Sequence, residues 1–173
     1  MFEDDQDNAR ERTRKMPLFI KAEEIRHLSL KIVESVESED LTNLSEFDRH
    51  YLEHHAKYIS ENALIIPAKI SGAEAVEIYD LKMENAAIIR KAAREIMTDC
   101  TGLKIGGYKS TDYLNLLRNE IEEFRILFAE WVKTFDPWNY TIDRWGLFNP
   151  PGVDYDTHDP DDDIPFNPDD FWE

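Results

Sequence analysis

Residues 17–36 read PLFIKAEEIRHLSLKIVESV, and the apolar members of this stretch decide the fold class. Leu18, Ala22, Ile25, Leu28, Ile32 and Val36 recur at steps of three and four residues. That spacing stacks them on one face of an α-helix of about five turns. Pro17 stands at the opening, where a helix tolerates a residue without an N–H.

Three further stretches repeat the pattern. Ser45, with Asp48 three residues on, predicts the start of a second helix from about Glu46 to Ile70. Its inner stripe is Leu52, Ala56, Ile59, Ala63 and Ile66. Pro67 lies inside this pattern and is expected to bend the helix, because it lacks the N–H and crowds the preceding turn. Ser71-Gly72 is the expected break. A third helix follows over about Ala73 to Thr98, with Ala75, Tyr79, Ala86, Ile89, Ala93 and Ile96 inward. Thr101-Gly102 through Gly106-Gly107 supplies the next turn, and Ser110 or Thr111 caps the fourth helix. Its stripe is Tyr113, Leu117, Ile121, Phe124, Phe128 and Trp131. Short loops between long amphipathic helices favour antiparallel neighbours. The expected fold is therefore all-α, an antiparallel up-down four-helix bundle over residues 17–135.

Either side of the bundle the pattern stops. Residues 1–16 mix charges without an apolar period and read as a flexible arm. The stretch from Ser35 to Leu44, centred on Ser38-Glu39-Asp40, reads as a loop. Beyond Phe135 the composition changes: six of the eight prolines fall in residues 136–173, which precludes another long helix. An extended, irregular tail rich in Pro, Asp and aromatic residues is expected there. Solvated disordered segments are normally poor in aromatics. Trp138 through Phe148 are therefore expected to pack on the bundle or on a neighbouring subunit, with the chain beyond Asp154 mobile until a partner holds it.

The formal charge of −17 sits mostly in that tail, where eleven acids face one base, Arg144. Affinity for nucleic acid comes from Lys and Arg neutralising phosphates, so the charge argues against it as a partner. Arg90, Lys91 and Arg94 form one basic cluster, but Glu95 and Asp99 follow closely and make a salt-bridged surface the simpler reading. Met1-Phe2-Glu3-Asp4-Asp5 has no apolar core of a secretory signal, and no apolar run is long enough to span a bilayer. With Cys100 alone, no internal disulfide can form. A cytoplasmic protein without a membrane partner is expected.

Candidate chemistry is sparse. Glu24-x-x-His27 invites comparison with a di-iron carboxylate site, yet Glu24 falls about 120° from the apolar centre and His27 nearly opposite it. His50 and His54 are one turn apart but lie away from the core face. His55 points inward, flanked by Tyr51, Tyr58 and Asn62. Glu120 on the fourth helix, with Lys82 and Asn85 on the third, could meet it. The residues Tyr51, His55, Tyr58, Lys82, Asn85 and Glu120 are thus expected to form a buried polar network that fixes helix register, since a buried carboxylate needs partners. A small-ligand or metal site at the same place is the sharper alternative. Cys100 has no activating neighbour in sequence, the glycines match no phosphate-binding fingerprint, and no nucleophile–base arrangement can be named. A non-enzymatic protein without cofactor or metal is expected.

The junction of the second and third helices reads Ala63-Leu64-Ile65-Ile66-Pro67-Ala68-Lys69-Ile70-Ser71-Gly72. It resembles a stretch in the small four helix bundle proteins encoded within ribosomal RNA intervening sequences, whose relatives include the accessory variability protein of diversity-generating retroelements. Phe19-Ile20-Lys21-Ala22-Glu23-Glu24-Ile25 is similar to that family's first helix, and Asn85-Ala86-Ala87-Ile88-Ile89 to the small-residue face of its third. The resemblance covers about residues 18–134. It implies an up-down bundle assembled into a ring, usually a pentamer, with binding rather than catalytic roles. In the retroelement branch it implies nucleic acid or a reverse transcriptase as partner. This chain departs in carrying Glu53 and Glu61 beside Lys57 and Lys69, where the family tends to arginine, and in its added acidic tail.

The leading expectation is an oligomeric scaffold or protein-interaction module. Trp138, Tyr140, Trp145, Phe148, Phe166, Phe171 and Trp172 are its expected anchors, docking on a neighbouring subunit or a basic protein partner. A nucleic-acid-binding accessory protein and a ligand- or metal-binding bundle are the alternatives.

Overall fold

The computed structural model describes residues 2–38 and 42–159. Those residues form five α-helices and no strand: α1 (Phe2–Lys15), α2 (Pro17–Ser38), α3 (Glu46–Glu74), α4 (Tyr79–Ile105) and α5 (Thr111–Val132). The protein is all-α over this range. None of these helices is long and apolar enough to cross a membrane.

The stripes read from α2 and α3 are the core. Leu18, Ala22, Ile25, Leu28, Ile32 and Val36 are buried, as are Leu52, Ala56, Ile59, Ala63 and Ile66. From α5 come Leu117, Ile121, Phe124 and Trp131. Each buried Leu, Ile, Val or Phe among them contributes about 1.5–3 kcal/mol by leaving water. Leu114 occupies the position expected of Tyr113, which is exposed; the step from 114 to 117 and 121 continues the helical period, and 113 lies one position off it. Ser45 opens α3 as expected, accepting the Asp48 N–H at 3.1 Å while its hydroxyl donates to the Asp48 carboxylate at 2.6 Å. At the start of α5, Ser110 holds the cap position, but its side chain makes no capping hydrogen bond.

α3 packs against α4 over the most extensive contact among the five helices, and α2 packs against both α3 and α5. The contact between α4 and α5 is the sparsest of these four pairs. The α3–α4 pair runs antiparallel: Leu52 lies against Gly106, His55 against Gly102, and Asn85 against Gly72. Small residues on α4 allow this approach. A β-carbon on Gly102 would stand 2.5 Å from the His55 ring.

Several boundaries differ from expectation. Residues 2–15, expected as a flexible arm, form α1, whose local support includes an Lys15–Glu11 pair one turn apart at 2.7 Å. α2 continues through Ser35 to Ser38, where a loop was expected. α3 runs unbroken across Pro67 and Ser71-Gly72 to Glu74. Gly72 faces Asn85 of α4, so the glycine serves helix approach, not chain reversal. The reversal comes at 75–78, which leaves Ala75 exposed in the turn. α4 likewise continues past Thr98 and Gly102 to Ile105. Ala92, Cys100 and Leu103 join Ala86, Ile89 and Ile96 inside, while Ala93 is only half-buried.

Candidate interaction surface

The expected polar network does not assemble as one: Tyr51 and His55 meet, and Tyr58, Lys82, Asn85 and Glu120 have partners elsewhere. His55 is largely buried, with its side chain 17% exposed, and its Nδ1 lies 2.8 Å from the Asp99 carboxylate on α4. Tyr51 packs edge-on against it, ring centres 4.5 Å apart. Tyr58 is exposed and stacks instead with His54, at 4.4 Å. Glu120 pairs across the α2–α5 seam with Lys21 at 2.7 Å. Lys82 lies 5.4 Å above the Phe135 ring. Asn85 donates to the Leu81 carbonyl at 2.8 Å.

Two partners were missed in sequence. Asp99 is 44 residues from His55 and becomes its neighbour only through the helix register. Lys21 gathers Glu24, Glu120 and Glu123, all within 2.8 Å, and these hydrogen bonds raise its pKa, Glu120 contributing most. Lysines beside glutamates are common on helices, and nothing in the spacing marks this one.

Other candidates also have local roles. Glu24 pairs with Lys21, and His27 lies exposed beside Arg26. His50 meets Glu53 at 3.5 Å. Among the described residues, no three His, Cys, Asp or Glu side chains group as metal ligands. Cys100 is buried, and burial pushes its thiol up to about 11, with Asp99 adding to the rise and Arg118 opposing it. Such a thiol stays protonated at neutral pH.

Although Phe47 and Ile105 on the helices also face solvent, the chain after α5 carries the two most exposed large apolar side chains among the described residues, Trp145 and Trp138. Its first part is tied to the end of the helical core. Trp131 donates its indole N–H to Glu74 at 2.8 Å and packs edge-on against Phe135 at 4.7 Å. Ile78, ahead of α4, has no capping side chain, and the Tyr79 N–H is taken instead by the Asn139 carbonyl at 2.7 Å. The Asn139 amide donates to the Glu77 carbonyl at 3.2 Å. Thr141 donates both its N–H and its hydroxyl to the Asp80 carboxylate, each at 3.0 Å. Residues 139–141 thus complete the start of α4.

A turn built on Asp143 follows. Its carboxylate accepts the backbone N–H groups of Trp145 (2.8 Å), Leu147 (2.8 Å) and Phe148 (2.9 Å). These bonds favour the ionised form and hold the carboxyl below the usual range, Trp145 contributing most. Gly146, at φ +72°, supplies the left-handed residue the turn requires. Asn149 closes the base: its oxygen accepts the Asp143 N–H at 2.7 Å, and its amide donates to the Asp143 carbonyl at 2.9 Å. Arg144 donates to the Tyr155 and Thr157 carbonyls at 3.1 and 2.9 Å.

Comparison with protein-family models, with curated proteins and with solved structures finds no match. Of the expected anchors, Trp138 is 82% and Trp145 91% exposed, while Tyr140 and Phe148 are half-buried. Leu147, not singled out in sequence, is 74% exposed at the turn's tip. Phe166, Phe171 and Trp172 lie outside the described residues.

Proposed function

We propose that this chain is a non-enzymatic, self-associating interaction module. α2–α5 form an antiparallel up-down four-helix bundle as scaffold, and the segment after α5 docks on a neighbouring subunit or protein partner. The observation that carries this reading is Trp145, 91% exposed at the tip of a turn whose backbone is bonded to Asp143. Tryptophan is the residue that most often dominates binding energy, and one on an ordered turn loses little freedom on docking.

The resemblance noted in sequence would make the assembly a ring, usually of five subunits. Light scattering on the full chain tests both parts. Deleting residues 136–173 would also strip Asn139 and Thr141 from α4, so point variants are the cleaner probe. The wild-type mass is expected to be a multiple of 20.3 kDa, and the Trp138→Ala/Trp145→Ala variant to fall towards that value. A variant that keeps the wild-type mass would remove these side chains from the interface. Salt-sensitive retention on RNA or DNA would instead support the nucleic-acid reading.

A further inference from the structure

We infer that the Trp145–Leu147 tip of one copy seats in the groove between α4 and α5 of a second copy, joining copies head to tail. This rests on the self-association proposed above and adds to it the receiving surface.

The groove exists because α4 leans on α3. Glycines 102 and 106 draw those two helices together, and the α4–α5 contact is left sparse. Ala93 presents only a methyl group to the seam, opposite Phe124 and Phe128 of α5. The result is a cleft of about 410 Å³ floored by Ala93, Met97, Phe124, Phe128 and Val132. That is the size and character of surface into which aromatic anchors dock.

Its rim is basic on a chain of net charge −17. Arg90, Arg94 and Arg125 border the cleft with one acid, Glu122, which leaves the border net positive. Arg125 is paired with Glu122 at 2.8 Å, while Arg90 and Arg94 have no carboxylate partner among the described residues. The tip carries the complementary character. Residues 136–159 hold five acids against the single base Arg144, and that arginine is turned onto backbone carbonyls. An apolar tip in an acidic setting matches an apolar cleft with an arginine border. The tip does not fill its own copy's cleft, since Trp145 is 91% exposed there. A second copy supplies the cleft.

Tip and cleft are different surfaces, so the contact is heterologous. Each copy gives one tip and receives one, and assembly closes as a ring or extends as a filament. This geometry has a distinctive test by light scattering. Trp145→Ala removes the tip but leaves the cleft; Arg90→Glu/Arg94→Glu reverses the rim but leaves the tip. All three side chains are exposed, and circular dichroism checks that helicity is retained.

Each variant alone is expected at the single-chain mass of 20.3 kDa, and an equimolar mixture at twice that mass. In the mixture one intact tip meets one intact cleft, and no further copy can join. Two variants that remain single chains when mixed would overturn the inference. So would an Arg90→Glu/Arg94→Glu variant that keeps the wild-type mass while Trp145→Ala loses it; the tip would then dock elsewhere and the interaction reading would stand. If a chain ending at Asp159 loses the wild-type mass while Trp145→Ala retains it, the last fourteen residues and not the tip carry the association, and the inference fails. A wild-type chain that is itself monomeric would overturn both the inference and the self-association beneath it.

Discussion

His55 and Asp99 meet across the α3–α4 seam, Nδ1 to Oδ1 at 2.8 Å, and the same imidazole lies over Gly102. A β-carbon on Gly102 would stand 2.5 Å from the ring's Cε1 and Nε2. The hydrogen bond and the glycine are parts of one arrangement: the ring reaches Asp99 because α4 has no side chain in its path.

Gly102→Ala separates two opposing effects. Alanine in a helix interior is favoured over glycine by about 0.8–1.0 kcal/mol. Displacing a packed ring commonly costs about 1–3 kcal/mol, so a net loss of stability is expected in urea denaturation. Combining it with His55→Ala should cancel most of the clash and give a large coupling energy. A Gly102→Ala variant more stable than wild type would show that the helices do not approach this closely.

Lys21→Met tests the second cluster that sequence did not disclose. Glu24, Glu120 and Glu123 would be left together without their cation, and Glu120 is only 21% exposed. A loss of about 1–2 kcal/mol is expected, between the values for exposed and buried pairs. The folded-state pKa of Lys21 is raised, so its stabilisation is complete below the unfolded lysine value of ~10.4 and fades as pH climbs towards the folded one. The gap in Tm between wild type and variant should therefore be constant through neutral pH and narrow above that value. Burial of Cys100 also lowers stability at alkaline pH, but the cysteine is common to both proteins and cancels in the difference.

These two clusters mark how far the sequence could be read. Leu18 to Val36 and Leu52 to Ile66 were legible because burial on one helical face leaves a period of three and four. The extent of α3 and α4 was not. Gly72 and Gly102 ordinarily mark helix ends, and here they sit opposite Asn85 and His55, a use set by another helix. In sequence Asp99 reads as part of a charged surface and Glu120 as a partner for His55, because pairing between helices depends on their register to within one residue. Tyr58 reads as inward from its neighbours but lies outside at 43% exposure, paired with His54. The aromatic character of the segment after α5 was evident. That its order comes from backbone bonds to Asp80 and Asp143, with Trp138 and Trp145 left in solvent, was not.

Asp143→Ala asks whether the turn, and not merely the indole, matters. The carboxylate accepts three backbone N–H groups, from Trp145, Leu147 and Phe148, and nothing else among the described residues takes them. In the variant those amides should lose hydrogen-exchange protection by on the order of tenfold, since charge-assisted bonds are the strong ones. Helix amides should be unchanged, because the turn touches none of α2, α3 or α5 through these bonds. Acid should act the same way on the wild type. The folded-state pKa of Asp143 is lowered, so the bonds are fully present above the ordinary carboxylate value of ~3.9 and are lost as pH falls through the depressed one. Gly146→Ala attacks the turn from its backbone, forcing a β-carbon into φ +72°, where L-residues lose roughly 1–2 kcal/mol. Both variants keep Trp145. If self-association falls in both as it does in Trp145→Ala, the conformation of the tip is what a neighbouring copy recognises. Full association in Asp143→Ala, with protection lost, would mean that the indole docks equally well from a loose chain.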